Sequence, residues 1–318
     1  MIEAFFSTFF GNAQAIAKIL MVVLLAGILV RKNIIKQQDI KSLSELTVTI
    51  FLPAMIFSNV MVSFNPETKS DWWLFPLIGI FMPLINLGFA ILFFPKSFKQ
   101  NQPVLAISVF QNAAYLVLPI GKLLFPEQFD EFALYNFLFI MGFNPMLWSV
   151  GKYLITYNDN YKKPVWTDLV TPPLVANLLA IALVLLKVNT YVPAIIMEPI
   201  ALTGSATVPV ATFVLGATIG GISFSKFPPV WVTIRVLIIK FLLIPIAMLL
   251  VIKILHLSYS LFVAFLVIEA AAAPATNLMV MVRKYGGNLQ LTGSLMLIMY
   301  LAALLFMPLW ITIAQLYI

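Results

Sequence analysis

Two ionisable residues stand inside long apolar runs, where a charge is costly. Glu269 lies near the middle of one run, five residues before Pro274, and Lys240 lies near the middle of another, five residues before Pro245. A carboxylate at mid-depth in a bilayer costs about 2.5–3.5 kcal/mol on insertion scales, so such a residue is a functional candidate by default. Glu269 could bind a cation, carry a coupled proton or pair with a base. A structural ion pair or a helix-packing hydrogen bond is the plainer reading. Lys240 is the candidate counter-charge, either for Glu269 or for an anionic substrate. Arg235 is nearer the end of its run and reads as a snorkelling side chain.

A second set of candidates is polar but uncharged. One apolar run is interrupted by Gln111-Asn112 and then Pro119-Ile120, and another by Pro274 followed by Thr276-Asn277. Asn144-Pro145 interrupts a third. Proline removes a backbone donor and clashes with the preceding turn, so helical bonds are lost there. In lipid the freed carbonyls need partners, so each break must face protein or a wet cavity. Half-helix N-termini at such breaks present N–H groups and positive dipole ends, which suit an anion. The plain alternative is a kink, since the chain has 20 prolines. Pro119 and Pro274 differ from the others because each has a neighbouring asparagine, Asn112 and Asn277.

These residues must be positioned by an apolar scaffold. Of 318 residues, 62% are hydrophobic and 10% charged, with a mean hydropathy of +1.03. Soluble domains carry about 25% charged residues, so this chain cannot cover a soluble surface. The composition excludes a cytosolic enzyme, a disordered chain and an ordinary nucleic-acid binder. With no cysteine, one histidine and 12 carboxylates, there is little material for thiol, metal or acid–base catalysis. No metal site and no organic cofactor are expected. Apolar runs of spanning length fall near 12–30, 42–62, 73–94, 103–125, 132–155, 168–186, 196–220, 229–252, 257–282 and 291–316. The first is read as a span and not as a cleavable leader, because no basic stretch precedes it.

The expected fold is therefore an all-α integral membrane protein of ten transmembrane helices. Twelve basic residues fall in odd-numbered loops, among them Arg31, Lys36, Lys96, Lys99, Lys162, Lys163 and Lys226. Four fall in the even-numbered loops and termini, including Lys69 and Lys187. This bias puts the odd loops in the cytoplasm and both termini outside, in a cell (inner or plasma) membrane. It also accounts for the net charge of +7 without a nucleic-acid partner. Trp72, Trp73 and Trp166 read as interface anchors. Ten spans with both ends on one side divide into two fives, and halves of odd number are related by inversion. Leu46-Thr47…Pro53…Phe57 recurs as Leu202-Thr203…Pro209…Phe213. The expected units are 1–156 and 157–318, two repeats within one membrane body.

In order and spacing these residues resemble the auxin efflux carrier family, whose bacterial members include malate- and malonate-permease-like proteins. The resemblance covers nearly the whole chain. It is carried by Gly27 to Lys32, Phe51-Leu52-Pro53 to Phe57, Asn112 to Pro119-Ile120, Thr171-Pro172-Pro173, Leu215-Gly216-Ala217, and Pro274 with Asn277 before Tyr285-Gly286-Gly287. Val117 stands where many members have glycine. The resemblance implies two inverted five-helix repeats, with helices 4 and 9 broken and crossing at a transport site. It places Asn112, Pro119, Pro274 and Asn277 at that crossover. It implies a secondary carrier of small organic anions, with H+ or Na+ as the coupling ion. The expected partners are that anion and the lipid bilayer, with assembly as a homodimer left open. Two alternatives stand beside this reading: a sodium-coupled carrier of the bile-acid type, and a membrane sensor that binds a ligand without moving it.

Overall fold

A computed structural model describes residues 2–95, 102–156, 169–222, 227–257 and 260–317 of the chain. The expectations placed on Lys96, Lys99, Lys162, Lys163, Lys226 and Trp166 lie outside the described residues. The described structure is helical. In chain order the helices are α1 (Ile2–Arg31), α2 (Gln37–Ser63), α3 (Leu74–Phe93), α4 (Gln102–Val109), α5 (Val117–Leu124) and α6 (Pro126–Thr156). They continue as α7 (Pro172–Leu185), α8 (Ala194–Gly220), α9 (Val230–Ile254), α10 (Ser260–Ala270), α11 (Asn277–Tyr285) and α12 (Leu289–Tyr317).

Among the described residues, seven of these are long and apolar enough to cross a membrane: α1, α2, α3, α6, α8, α9 and α12. This makes the chain an integral membrane protein. Two of the ten runs are broken, at the interruptions expected beside Asn112 and Pro274. The run at 103–125 is divided into α4 and α5, and the run at 257–282 into α10 and α11. The run at 168–186 supplies the 14-residue α7. Hydropathy averages over a window, so it passes over a few non-helical residues in an apolar stretch.

Prolines leave a second mark. The ladder widens to a π-turn at Thr47–Phe51, Leu147–Gly151 and Ile239–Leu243, each within a few residues of Pro53, Pro145 or Pro245. At Thr47–Phe51 and Ile239–Leu243, which precede Pro53 and Pro245, the wide turn relieves the clash that a proline ring makes with the carbonyl four residues back. Lys240 sits in the third of these turns.

The helices pack as two groups. α8 packs on α1 and α2, and α7 packs on α2; α3, α4, α6, α9, α10 and α12 form the second group. α1 against α12, and α2 and α7 against α6, join the two. Since both sides of each contact are apolar, lipid gives no hydrophobic reason for helices to associate, and close packing takes its place. Within the first group, Gly216 and Gly220 of α8 lie against the backbone of α1 at Val23 and Gly27. Within the second, Gly142 of α6 lies against the carbonyl of Pro76 in α3. A β-carbon at any of these three would overlap backbone. Asn12 adds polar contacts, donating from α1 to Thr312 Oγ1 at 3.0 Å and Gln315 Oε1 at 2.9 Å on α12.

Overpacking a close contact of this kind costs about 1–3 kcal/mol. Gly142→Val should therefore lower the melting temperature of the purified protein clearly. Gly88→Val, where nothing lies within 4 Å of the new β-carbon, should leave it nearly unchanged.

Candidate functional site

The two interrupted runs meet. Between α4 and α5, and between α10 and α11, the chain is extended for a few residues. The two extended stretches pair antiparallel, with Gln111 opposite Pro274. Asn112 N donates to Ala273 O at 2.8 Å, and Ala275 N donates to Phe110 O at 3.1 Å. Both stretches are buried. The backbone groups freed by each break are thus satisfied by the other break.

Side chains complete the crossing. Tyr300 of α12 donates its hydroxyl to Pro274 O at 2.7 Å and accepts from Asn112 Nδ2 at 2.8 Å. Asn112 Oδ1 accepts from Tyr115 N at 3.1 Å, capping the approach to α5. Asn86 of α3 donates to Val109 O at 2.8 Å. Lys240 of α9 donates to Phe110 O at 3.3 Å. Asn136 of α6 donates to Ala113 O and, at 2.8 Å, to Glu269 Oε1.

Pro119 is the third residue of α5 and Pro274 lies in the extended stretch. Neither position requires a helical N–H, so neither proline forfeits a bond. Both support the break from outside the cavity beside it. That cavity, of about 120 Å³, lies between the two helix groups. The crossover lines it with Asn112, Thr276 and Asn277, α6 with Asn144, and the start of α7 with Thr171. The amides of Asn144 and Asn277 form no hydrogen bond within the described residues, and Thr171 Oγ1 also lacks a partner. The first turns of α7 and α11 adjoin the cavity, and neither has a side-chain cap. Among the described residues, those that line the cavity include no carboxylate and offer free donors.

The structure thus gathers Asn112, Asn144 and Asn277 in one cavity. Glu269 and Lys240 stand outside its lining, both fully buried. They do not form the direct ion pair that their depth suggests. Lys240 turns to the Phe110 carbonyl and Glu269 to Asn136. Arg235, read as a snorkelling side chain, donates to Phe93 O at 3.1 Å. Tyr300 and Asn136 escaped the sequence reading. Tyr300 meets Asn112 across 188 residues of chain, and nothing local marks it. Asn136 is one more amide in an apolar run, and that pattern alone could have flagged it.

On one side the cavity ends at a ladder of rings. Along α6, Phe143 stacks on Phe139 with centroids 5.4 Å apart. Phe139 meets Phe265 at 5.8 Å, and Tyr135 stacks on Phe75 at 4.8 Å. Beyond the ladder Lys69 pairs with Glu131, which also accepts from Tyr135. These close a hollow of about 340 Å³ that includes His256. The opposite side of the cavity is bounded by Trp148 and by Thr171 to Pro173, near the ends of α6 and α7.

The comparisons agree with this architecture. The family model described as "Membrane transport protein" matches residues 13–164 and again 158–311. An uncharacterized transporter of Methanocaldococcus jannaschii is 27% identical over 197 residues. The match covers 59% of this chain and spans 62% of that relative. With its family model matched from residue 13 to residue 311, the chain belongs to the membrane transport protein family, the auxin efflux carriers, and is a transport protein rather than an enzyme.

Proposed function

We propose that the chain is a secondary carrier of small organic anions, carboxylates such as malate-like dicarboxylates, working by alternating access. One observation carries this reading. A cavity of about 120 Å³ sits at the crossing of two broken helices, between two helix groups, with unpaired amide and hydroxyl groups and, among the described residues, no carboxylate. A carboxylate would accept hydrogen bonds from Asn277 and Asn144, and from the first-turn N–H groups of α7 and α11. Asn112, fixed by Tyr300, holds the crossover in register for it. Lys240, bound to the Phe110 carbonyl, adds positive charge close behind the crossover. Such neutral donors bind an anion without trapping it, which suits release on the other side.

The helix groups would rock about the crossover, as in carriers built from inverted repeats. The two matches of one family model, similar in length, support 1–156 and 157–318 as such repeats. The antiparallel pairing of the two breaks has the symmetry that inversion requires. With odd loops cytoplasmic, the Trp148–Pro173 side faces the cytoplasm and the aromatic ladder seals the outside. The setting is then a cell membrane with both termini external.

Two experiments test these assignments. In proteoliposomes, Asn112→Ala and Asn277→Ala should each slow counterflow of labelled dicarboxylate about tenfold or more, the scale set by losing a buried hydrogen bond. Wild-type rates in both variants would refute the site. The chain has no cysteine, so single cysteines report sidedness cleanly. In intact cells an impermeant thiol reagent should label Lys187→Cys and spare Lys36→Cys; the reverse pattern would invert the topology.

A further inference from the structure

Glu269 is fully buried at the end of α10, on the sealed side of the crossover. Its Oε1 accepts from Asn136 Nδ2 at 2.8 Å, while Oε2 has no partner. The same amide also donates to the carbonyl of Ala113, a residue that lines the cavity. Asn136 Oδ1 is equally without a partner. The ionisable groups on the surrounding helices make their direct bonds elsewhere, although the Lys240 charge still acts on Glu269 from a distance. Lys240 of α9 is directed at Phe110 O, and Tyr300 of α12 at Pro274 O. Glu131 and Tyr135 of α6 are tied to Lys69, and Lys122 of α5 lies over the Phe129 ring at 4.5 Å. A bare carboxylate oxygen in this setting is a buried charge with neither a direct cation nor a second donor.

We propose that Glu269 is the carrier's proton-binding site, read at the crossover through Asn136. This deepens the carrier reading and rests on it. A proton taken up on Oε2 forms an O–H bond and cancels the carboxylate charge; breaking that bond on the other face of the cycle returns the proton and restores the charge. The protonated acid offers its O–H to the empty Asn136 Oδ1. Turning the amide to accept it withdraws Nδ2 from the Ala113 carbonyl beside the cavity. Asn136 is thus a positioning residue, linking the charge state of Glu269 to the backbone that shapes the substrate site. Two orphan oxygens are enough to share one proton. A Ca2+-like cation takes several oxygen ligands more; sodium, which backbone carbonyls can hold, is separated from the proton by the gradient experiment below.

The test has two arms. The first needs no substrate. Infrared difference spectra of the purified protein between acidic and alkaline buffer should show a protonated-carboxyl C=O band that is lost in Glu269→Gln and shifted in frequency in Asn136→Ala. Absence of the band from wild type, or its survival in Glu269→Gln, overturns the proposal. The second arm uses proteoliposomes with the membrane potential clamped at zero. If one proton moves with each substrate, a gradient of one pH unit should drive about tenfold accumulation of labelled dicarboxylate, since one unit is 1.36 kcal/mol. Glu269→Gln should abolish that accumulation. Accumulation driven by a sodium gradient and not by pH overturns proton coupling. If wild-type vesicles move no carboxylate at all, the carrier reading fails, and the infrared band still decides the proton site.

Discussion

A helix that breaks inside a bilayer exposes N–H and C=O groups to a medium that cannot bond them. This protein contains two such breaks, and each satisfies the other. Gln111 and Pro274 face one another across an antiparallel bridge, with bonds from Asn112 N and Ala275 N on either side. Much else follows from that pairing. Asn86, Lys240, Asn136 and Tyr300 reach in from four different helices to carbonyls of Val109, Phe110, Ala113 and Pro274. A large share of the costly buried polar groups in an otherwise apolar chain is spent on one crossing. Their convergence fixes the crossover in place while leaving Asn144, Asn277 and Thr171 free beside it.

The crossing also explains where the cavity can form. Continuous helices pack side chain against side chain and leave little space. Extended backbone is thinner, and the turns that begin α7 and α11 end short of it. The resulting hollow lies between the α1, α2, α7, α8 group and the remainder. Glycine contacts hold helices tightly within each group. The aromatic ladder on α6 closes one approach. Its rings recur every four residues from Phe143 through Phe139 to Tyr135, so one face of one helix reaches from the cavity to the Lys69–Glu131 pair.

Much of this was legible in the chain. Composition forced a membrane setting, because too few polar side chains exist to cover a soluble surface. The breaks were legible because proline cannot donate a helical bond, and the asparagines beside Pro119 and Pro274 marked the polar ends. Asn112, Asn144 and Asn277, singled out by type alone, line the cavity beside the crossing. Whether Glu269 and Lys240 bond each other directly was not legible. Depth in the apolar run gave each residue a height but no direction around its helix, and the two turn to different partners.

The sequence by itself determined the solvent, the approximate places of the helices and the two points where they fail. Those are local properties, set by hydrophobic run length and by what proline and asparagine do to their own backbone. Only the tertiary structure decided that the two failures meet, that Tyr300 clamps them across 188 residues, and that Asn136 stands between Glu269 and the cavity. Each of these is a contact between groups far apart in the chain. No local pattern encodes it, because the partner is selected by which buried group is left unsatisfied once the helices have packed.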